Sequence, residues 1–131
     1  MAYETEGLTL PGFVANSTGL ATSQFLAVKL ASTAGQVVLN ATSTFAGNLV
    51  GILQNQPAGG EAALIQVGGV SKMIAATSTI APGDVVGLNT TGRATDGGTT
   101  DNGAIVGKAV TAAGAAGDII SVLLKPGGDR Y

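Results

Sequence analysis

The sequence contains no cysteine, no histidine and no tryptophan. Without cysteine the chain has no disulfide, no thiolate zinc site and no thiol nucleophile. Without histidine it lacks the commonest general base and metal ligand. Serine and threonine hydroxyls are left with lysine as the one available partner base, and no such cluster can be identified. We therefore expect a protein with no catalytic residues, not an enzyme.

Charged and aromatic residues are also scarce. They make up 11% and 4% of the chain, whereas about 25% charged residues is usual. Nucleic acids and anionic membranes attract clustered basic groups. The basic residues here are isolated from one another along the chain: Lys29, Lys72, Arg93, Lys108, Lys125 and Arg130. We expect neither nucleic acid nor membrane as a partner, and the low charge indicates a surface that contacts other protein.

Targeting signals are absent from the sequence as well. The chain begins with Glu4 and Glu6 where a secretory signal has a positive start and an apolar run. No apolar stretch approaches the roughly 20 residues that cross a membrane. We expect the protein to be made and assembled in the cytoplasm.

Glycine is plentiful, with 21 residues, and together with Pro, Asn and Asp it bounds short β-branched runs. Such a pattern predicts an all-β protein, a small barrel or sandwich, with under about 10% helix. The predicted strands are Phe25–Leu30, Gln36–Leu39, Leu49–Leu53, Ala63–Val67, Val70–Ala75, Asp84–Leu88, Ile105–Val110 and Ile119–Leu124.

Parts of the sequence repeat at a nearly constant distance. Gly51 and Gly107 each follow an apolar pair, and Gly60 and Gly117 each precede an acidic residue (107 − 51 = 56; 117 − 60 = 57). The pattern predicts two similar β-units, while a chance match within a Gly-rich chain is the alternative. Residues 23–131 are expected to form one β-barrel domain, with pseudo-repeats at about 23–70 and 80–125.

Residues 1–22 have no partner in this repeat, and we expect them to form an extended N-terminal arm. The arm carries large apolar side chains, and an extended arm can add a strand to a neighbour's sheet. The candidate partner-binding residues are Tyr3, Leu8, Leu10, Phe13 and Val14. The alternative is that the arm packs on its own barrel.

Three motifs suggest ligand chemistry but lack essential parts. The run from Gly103 to Lys108 has too short a glycine spacing for a phosphate-binding loop and no following hydroxyl. Asp96 and Asp101 lack the spacing of a calcium loop. Glu61 and Asp118 stand at Gly-acid turns, where the usual role is hydrogen bonding to local amides. We expect no metal and no cofactor.

Several runs, in this order, resemble tailed-phage capsid cement or decoration proteins. They are Gly68-Gly69-Val70, Ile80-Ala81-Pro82-Gly83-Asp84-Val85-Val86, Ile105-Val106-Gly107-Lys108-Ala109-Val110 and Ala115-Ala116-Gly117-Asp118-Ile119-Ile120-Ser121-Val122-Leu123-Leu124. The resemblance covers roughly Phe25 to Leu124.

This resemblance implies a small β-barrel on the outer surface of an icosahedral phage head. The partner would be the major capsid protein, whose neighbouring subunits the protein would bridge against internal DNA pressure. A homo-oligomer is implied, with a trimer favoured, and the family offers no catalytic residues to carry over. The alternative is a β-barrel module of a tail, fibre or surface layer that binds a host receptor or glycan.

Overall fold

The computed structural model describes residues 8–41, 48–97 and 104–130. Within these ranges it contains ten β-strands and no helix, which confirms the all-β prediction. The strands are β1 (Thr9–Ala15), β2 (Ala27–Leu30), β3 (Gln36–Leu39), β4 (Leu49–Leu53), β5 (Ala62–Gln66), β6 (Val70–Ile74), β7 (Val85–Leu88), β8 (Ala94–Asp96), β9 (Ala104–Ala109) and β10 (Ile119–Arg130).

The eight strands expected from the sequence are all present, together with two that its pattern does not predict. β1 contains Pro11-Gly12, a pair that indicates the interruption of an extended segment. In the structure this pair lies in a β-bulge between Leu10 and Phe13, and the strand continues through it. β8 has three residues, too few for an alternating pattern.

The strands form two five-stranded sheets with one topology. β1-β3-β2-β4-β5 closes into a barrel, and the second sheet has the order β6-β10-β9-β7-β8. Each strand of the first sheet corresponds to the strand five places later, so β1 matches β6 and β5 matches β10. We call β1–β5 the first unit and β6–β10 the second unit.

Backbone register agrees with the predicted correspondence of the glycines. Gly51 lies opposite Val28, Gly107 lies opposite Val86, and a register shift follows both pairs. An alanine Cβ at either glycine would overlap a carbonyl oxygen on the neighbouring strand. The β-carbon is therefore excluded in both units for the same reason.

The turns that precede β5 and β10 also correspond. The Gly60 N–H donates to the Ala15 carbonyl oxygen at 3.0 Å, and the Gly117 N–H donates to that of Ala75 at 2.8 Å. Both glycines have positive φ, 80° and 93°, a conformation that other residues adopt at a cost.

The repeat also includes part of the segment that the sequence assigned to an arm. β1 pairs antiparallel with β5, as β6 does with β10. Residues 9–15 thus form one of the five strands of the barrel, and the first unit begins before residue 23. The corresponding strand, β6, is predicted by the sequence as a strand but not as part of the second repeat.

Each unit has its own apolar core, and the two cores differ in composition. The first consists of residues from the first unit, including Val28, Leu53 and Ile65. The second contains buried apolar residues of β6–β10, such as Met73, Val86 and Ile120, and also Ala27 and Ile52 from the first unit. The first unit therefore completes the core of the second.

The two units differ in the pairing of two strands, β1 with β3 in the first unit and β6 with β8 in the second. We call the line along which each pair meets the seam of that unit. In the first unit β1 and β3 pair in parallel, and the Val14 N–H donates to the Gly35 carbonyl oxygen at 3.0 Å. In the second unit the corresponding contact is one isolated bridge, between Ala75, just after β6, and Ala94 of β8.

The first unit occupies the open seam of the second. The carbonyl oxygen of Gly92, the counterpart of Gly35, accepts the Ala27 N–H at 2.9 Å. The N–H of Ile74, the counterpart of Val14, donates to the Phe25 carbonyl oxygen at 3.2 Å. Residues 25–27 thus lie between β6 and β8, and they fix the two units to each other.

Phe25 adopts an unusual backbone conformation at this junction. Its φ of 65° is the one positive value at a non-glycine among the described residues, and its counterpart in the second unit is a glycine, Gly83, with φ 92°. Both residues donate their N–H to the corresponding strand, to Leu53 and Ala109. The ring of Phe25 faces the Lys72 ammonium, 5.8 Å from the ring centroid.

Candidate functional site

The candidate site is sought on the molecular surface. Among the described residues no group of three or more His, Cys, Asp or Glu side chains could bind a metal. Large apolar side chains are the surface feature that most requires an explanation. Those exposed in the described part of the chain are Leu8, Leu30, Leu64, Ile119 and Leu123.

Two of these residues lie at the same end of the first barrel. Leu30 is the last residue of β2, next to the turn that joins β2 to β3. Leu8 immediately precedes β1. Because β1 runs parallel to β3, the start of β1 lies at the same end of the barrel as this turn. The Leu30 N–H donates to the Asn48 carbonyl oxygen at 2.8 Å, at the start of β4. We call this end of the first unit the open end; Leu30 and Asn48 are joined there by this hydrogen bond, and Leu8 lies just before the start of β1.

The open end also contains an unsatisfied polar atom. The Asn48 side-chain nitrogen donates to the Leu30 carbonyl oxygen at 3.5 Å. Its side-chain oxygen, Oδ1, is buried and accepts no hydrogen bond from the residues that the structure describes. A buried acceptor without a donor is energetically unfavourable.

The structure separates the five partner-binding candidates from the sequence. Tyr3 lies outside the described residues. Leu8 is 61% exposed at the open end, whereas Leu10 and Phe13 are partly buried and pack against the first core. Val14 is partly buried next to Ala62 of β5.

The alternation within β1 explains this separation. Leu10 pairs with Ile65 and Phe13 pairs with Ala63, both of which are buried core residues. The extra residue in the bulge lets side chains on both sides of Pro11-Gly12 point inward. Sequence reasoning does not select Leu30 or Leu64, because single leucines at strand ends carry no distinctive signal.

The exposed apolar residues of the second unit have charged neighbours. Ile119 and Leu123 lie on the outer face of β10 opposite Ile74 and Val70. Between these two pairs lies Lys72, opposite Ser121, and Leu123 also pairs with Lys108 of β9.

Charge is distributed unequally between the two halves of the sequence. From residue 8 to residue 68 the charged residues are Lys29 and Glu61 alone. From residue 69 onward they are Lys72, Asp84, Arg93, Asp96, Asp101, Lys108, Asp118, Lys125, Asp129 and Arg130. Protein interfaces are depleted of charge at their centres, whereas solvated surfaces are not. This asymmetry is visible in the sequence itself.

The two turn carboxylates have structural roles, as the sequence predicted. Glu61 accepts the Ala58 N–H at 2.7 Å, and Asp118 accepts the N–H groups of Gly114 and Ala115 at 2.9 and 3.0 Å. They occupy corresponding turns in different units and do not form a pair across a cleft. Asp96 ends β8, and Asp101 lies outside the described residues.

No helix long and apolar enough to cross a membrane occurs in residues 8–41, 48–97 or 104–130.

Comparison with known proteins assigns this fold to a family. A model of the phage cement protein family matches residues 7–125. The solved structure of the head fiber gp8.5 N base of bacteriophage phi29 is similar, with a TM-score of 0.60 over 95% of this chain and 98% of that chain. Its sequence identity is 16%, so this likeness shows the fold alone. No curated protein matches the chain.

The family match includes both β-units and the strand β1. It confirms the resemblance drawn from the turn and strand motifs. The chain belongs to the phage cement protein family and is a capsid-associated structural protein of the phage virion, not an enzyme.

Proposed function

We propose that this protein decorates the outer surface of the phage head and holds neighbouring major capsid protein subunits together. Membership in the cement family supports an attachment to the capsid. The finer role, bridging subunits from outside, is supported by the surface of the molecule.

The observation that carries this proposal is the nearly uncharged first unit. Lys29 and Glu61 are its charged residues between 8 and 68, and it exposes Leu8, Leu30 and Leu64. A free surface of this composition favours association. Burial against other protein removes that apolar area from water at roughly 25 cal/mol per Å².

The second unit has the opposite character, which suits the side facing solvent. Its charged side chains keep a particle soluble when many copies cover it. One molecule then has a contacting half and a solvated half, as a decoration protein requires.

We further propose that the protein acts as a homo-oligomer, with a trimer as the favoured state. Several weak contacts made by one oligomer bind the capsid far more strongly than one contact does. An oligomer on the head surface also reaches more than one capsid subunit, which is what bridging needs.

The experiment compares phage heads with and without this protein. Heads that lack it are mixed with purified protein, sedimented, and imaged by cryo-electron microscopy. We expect regular extra density outside the capsid shell, together with a higher temperature of DNA release from decorated heads. Density on the tail or on fibres, with bare heads, would contradict the proposal and favour a receptor- or glycan-binding module.

A further inference from the structure

A depression of about 600 Å³ lies in the surface of the first unit, around Lys29. Lys29 pairs with Val38 of β3, and both residues alternate along their strands with the buried core residues Val28 and Val37. The depression therefore lies on the outer face of the β2–β3 hairpin. Its volume falls in the usual range of ligand pockets, about 300–1,000 Å³.

The lining of this depression is polar and carries a single charge. Small-molecule pockets are mostly apolar, whereas most of the residues around this one carry an amide or a hydroxyl group. Among the described residues that line it, Lys29 is the one charged side chain, and none is acidic. The neutral polar residues are Asn16, Ser17, Ser32, Thr33, Gln36 and Asn48.

The second unit shows that the fold itself does not require a lysine at this position. Lys29 corresponds to Gly87, since each follows the valine that lies opposite the matched glycine of β4 or β9. Gly87 is buried, and a Cβ there would lie 3.0 Å from Gly97 Cα and 3.3 Å from the Ala104 carbonyl oxygen. The second unit thus packs this position against its own backbone, whereas the first leaves it open around a cation.

One ammonium group among amides and hydroxyls suits a protein carboxylate better than a polyanion. Nucleic acid is bound by several basic residues together, and here there is one. A lysine ammonium group offers three hydrogen-bond donors, and its bonds to a carboxylate are charge-assisted. Lys29 is partly buried, so salt screens such a pair less than it screens an exposed one. The surrounding amides and hydroxyls can bond the peptide groups on either side of an acidic residue.

We propose that the depression around Lys29 receives an acidic segment of the major capsid protein, with an Asp or Glu carboxylate against the Lys29 ammonium group. This inference rests on the proposed function and names the chemistry of the capsid segment that the first unit binds. Lys29 is the one basic residue between positions 8 and 68, so a single substitution removes the positive charge of this surface.

The experiment measures binding to undecorated heads by co-sedimentation over a range of protein concentrations, at low and at high salt. The test variants are Lys29→Gln, which removes the charge, Lys29→Glu, which reverses it, and Lys29→Arg, which keeps it. The matched control is Lys108→Glu, the same charge reversal at an exposed lysine of the second unit. Thermal unfolding of each variant separates lost binding from lost folding.

We expect Lys29→Gln to weaken capsid binding at least about tenfold, because the capsid carboxylate loses its partner. Lys29→Glu should weaken binding further through repulsion, while Lys29→Arg should retain most of it. High salt should weaken binding of the wild type more than binding of Lys29→Gln. Lys108→Glu should bind as the wild type does. Melting temperatures should stay close to that of the wild type, since Lys29 belongs to neither core.

Three results would overturn the inference. Wild-type protein that fails to bind heads would remove the proposed function and this inference together. Wild-type binding that survives Lys29→Glu, or that falls equally in Lys108→Glu, would leave the proposed function standing and place the capsid contact elsewhere. A lower oligomeric mass of Lys29→Glu, by light scattering, would show that the depression receives a carboxylate from a second copy of the chain.

Discussion

The two units share one strand order but differ at one seam. In the first unit β1 and β3 pair and close the barrel, whereas in the second unit residues 25–27 lie between β6 and β8. The closed unit depends on its own residues for its core, and the open unit depends on its neighbour. The difference at this single strand pair makes the first unit the supporting half and the second unit the supported half.

The chemistry of the matching surfaces also differs between the two units. Ile52 and Lys108 hold matching positions, and Ile52 is buried between the units while Lys108 is exposed. The first unit thus presents an apolar side chain to the second at this position, whereas the matching position of the second unit carries a charge.

The largest expected effect tests whether the second unit depends on the first. Ile52→Ala removes a fully buried side chain from the second core, and such changes cost about 2–5 kcal/mol. Lys108→Ala, at the matching position, should leave the free energy of unfolding nearly unchanged. Urea denaturation of both variants measures the difference. Equal losses of unfolding free energy in the two variants would mean that the second core does not depend on Ile52 of the first unit.

A second, smaller effect compares two turns of the same backbone conformation. Gly35 and Gly92 have φ values of 78° and 76°, so alanine at either position costs about 1–2 kcal/mol of conformational energy. A Cβ at Gly35 meets no atom within 4 Å, but one at Gly92 would lie 2.9 Å from Leu39 Cδ1 and 3.1 Å from the Ala27 carbonyl oxygen.

Gly92→Ala should therefore destabilise the protein more than Gly35→Ala, by about 1–3 kcal/mol, the usual cost of overpacking. The additional loss of unfolding free energy in Gly92→Ala measures how tightly residues 25–27 of the first unit pack between β6 and β8. Equal unfolding free energies for the two variants would show that the junction yields easily.

Much of this fold could be predicted because β-branched runs bounded by glycine are local signals. The spacing of Gly51 and Gly107 in the sequence indicates matching strands, and their backbone register agrees. The role of β1 could not be predicted, because a Pro-Gly pair is compatible with either the end of a strand or a bulge within it. The pairing of β1 with β5 shows that it is a bulge. Leu30 could not be selected for a similar reason: it holds the same position in its hairpin as Leu88, yet Leu30 is 44% exposed and Leu88 is 4% exposed.

The smallest expected effect compares the two turn carboxylates. Glu61 accepts one backbone N–H, from Ala58, whereas Asp118 accepts two, from Gly114 and Ala115. A hydrogen bond contributes about 0.5–1.5 kcal/mol net, so Asp118→Ala should cost roughly twice as much stability as Glu61→Ala. Asp118→Asn keeps an acceptor oxygen and should recover part of the loss. Thermal melts of the three variants under one buffer condition decide the order. If Glu61→Ala proved the more damaging, the turn before β5 would owe its stability to contacts other than the hydrogen bonds described, and the two turns would match in backbone alone.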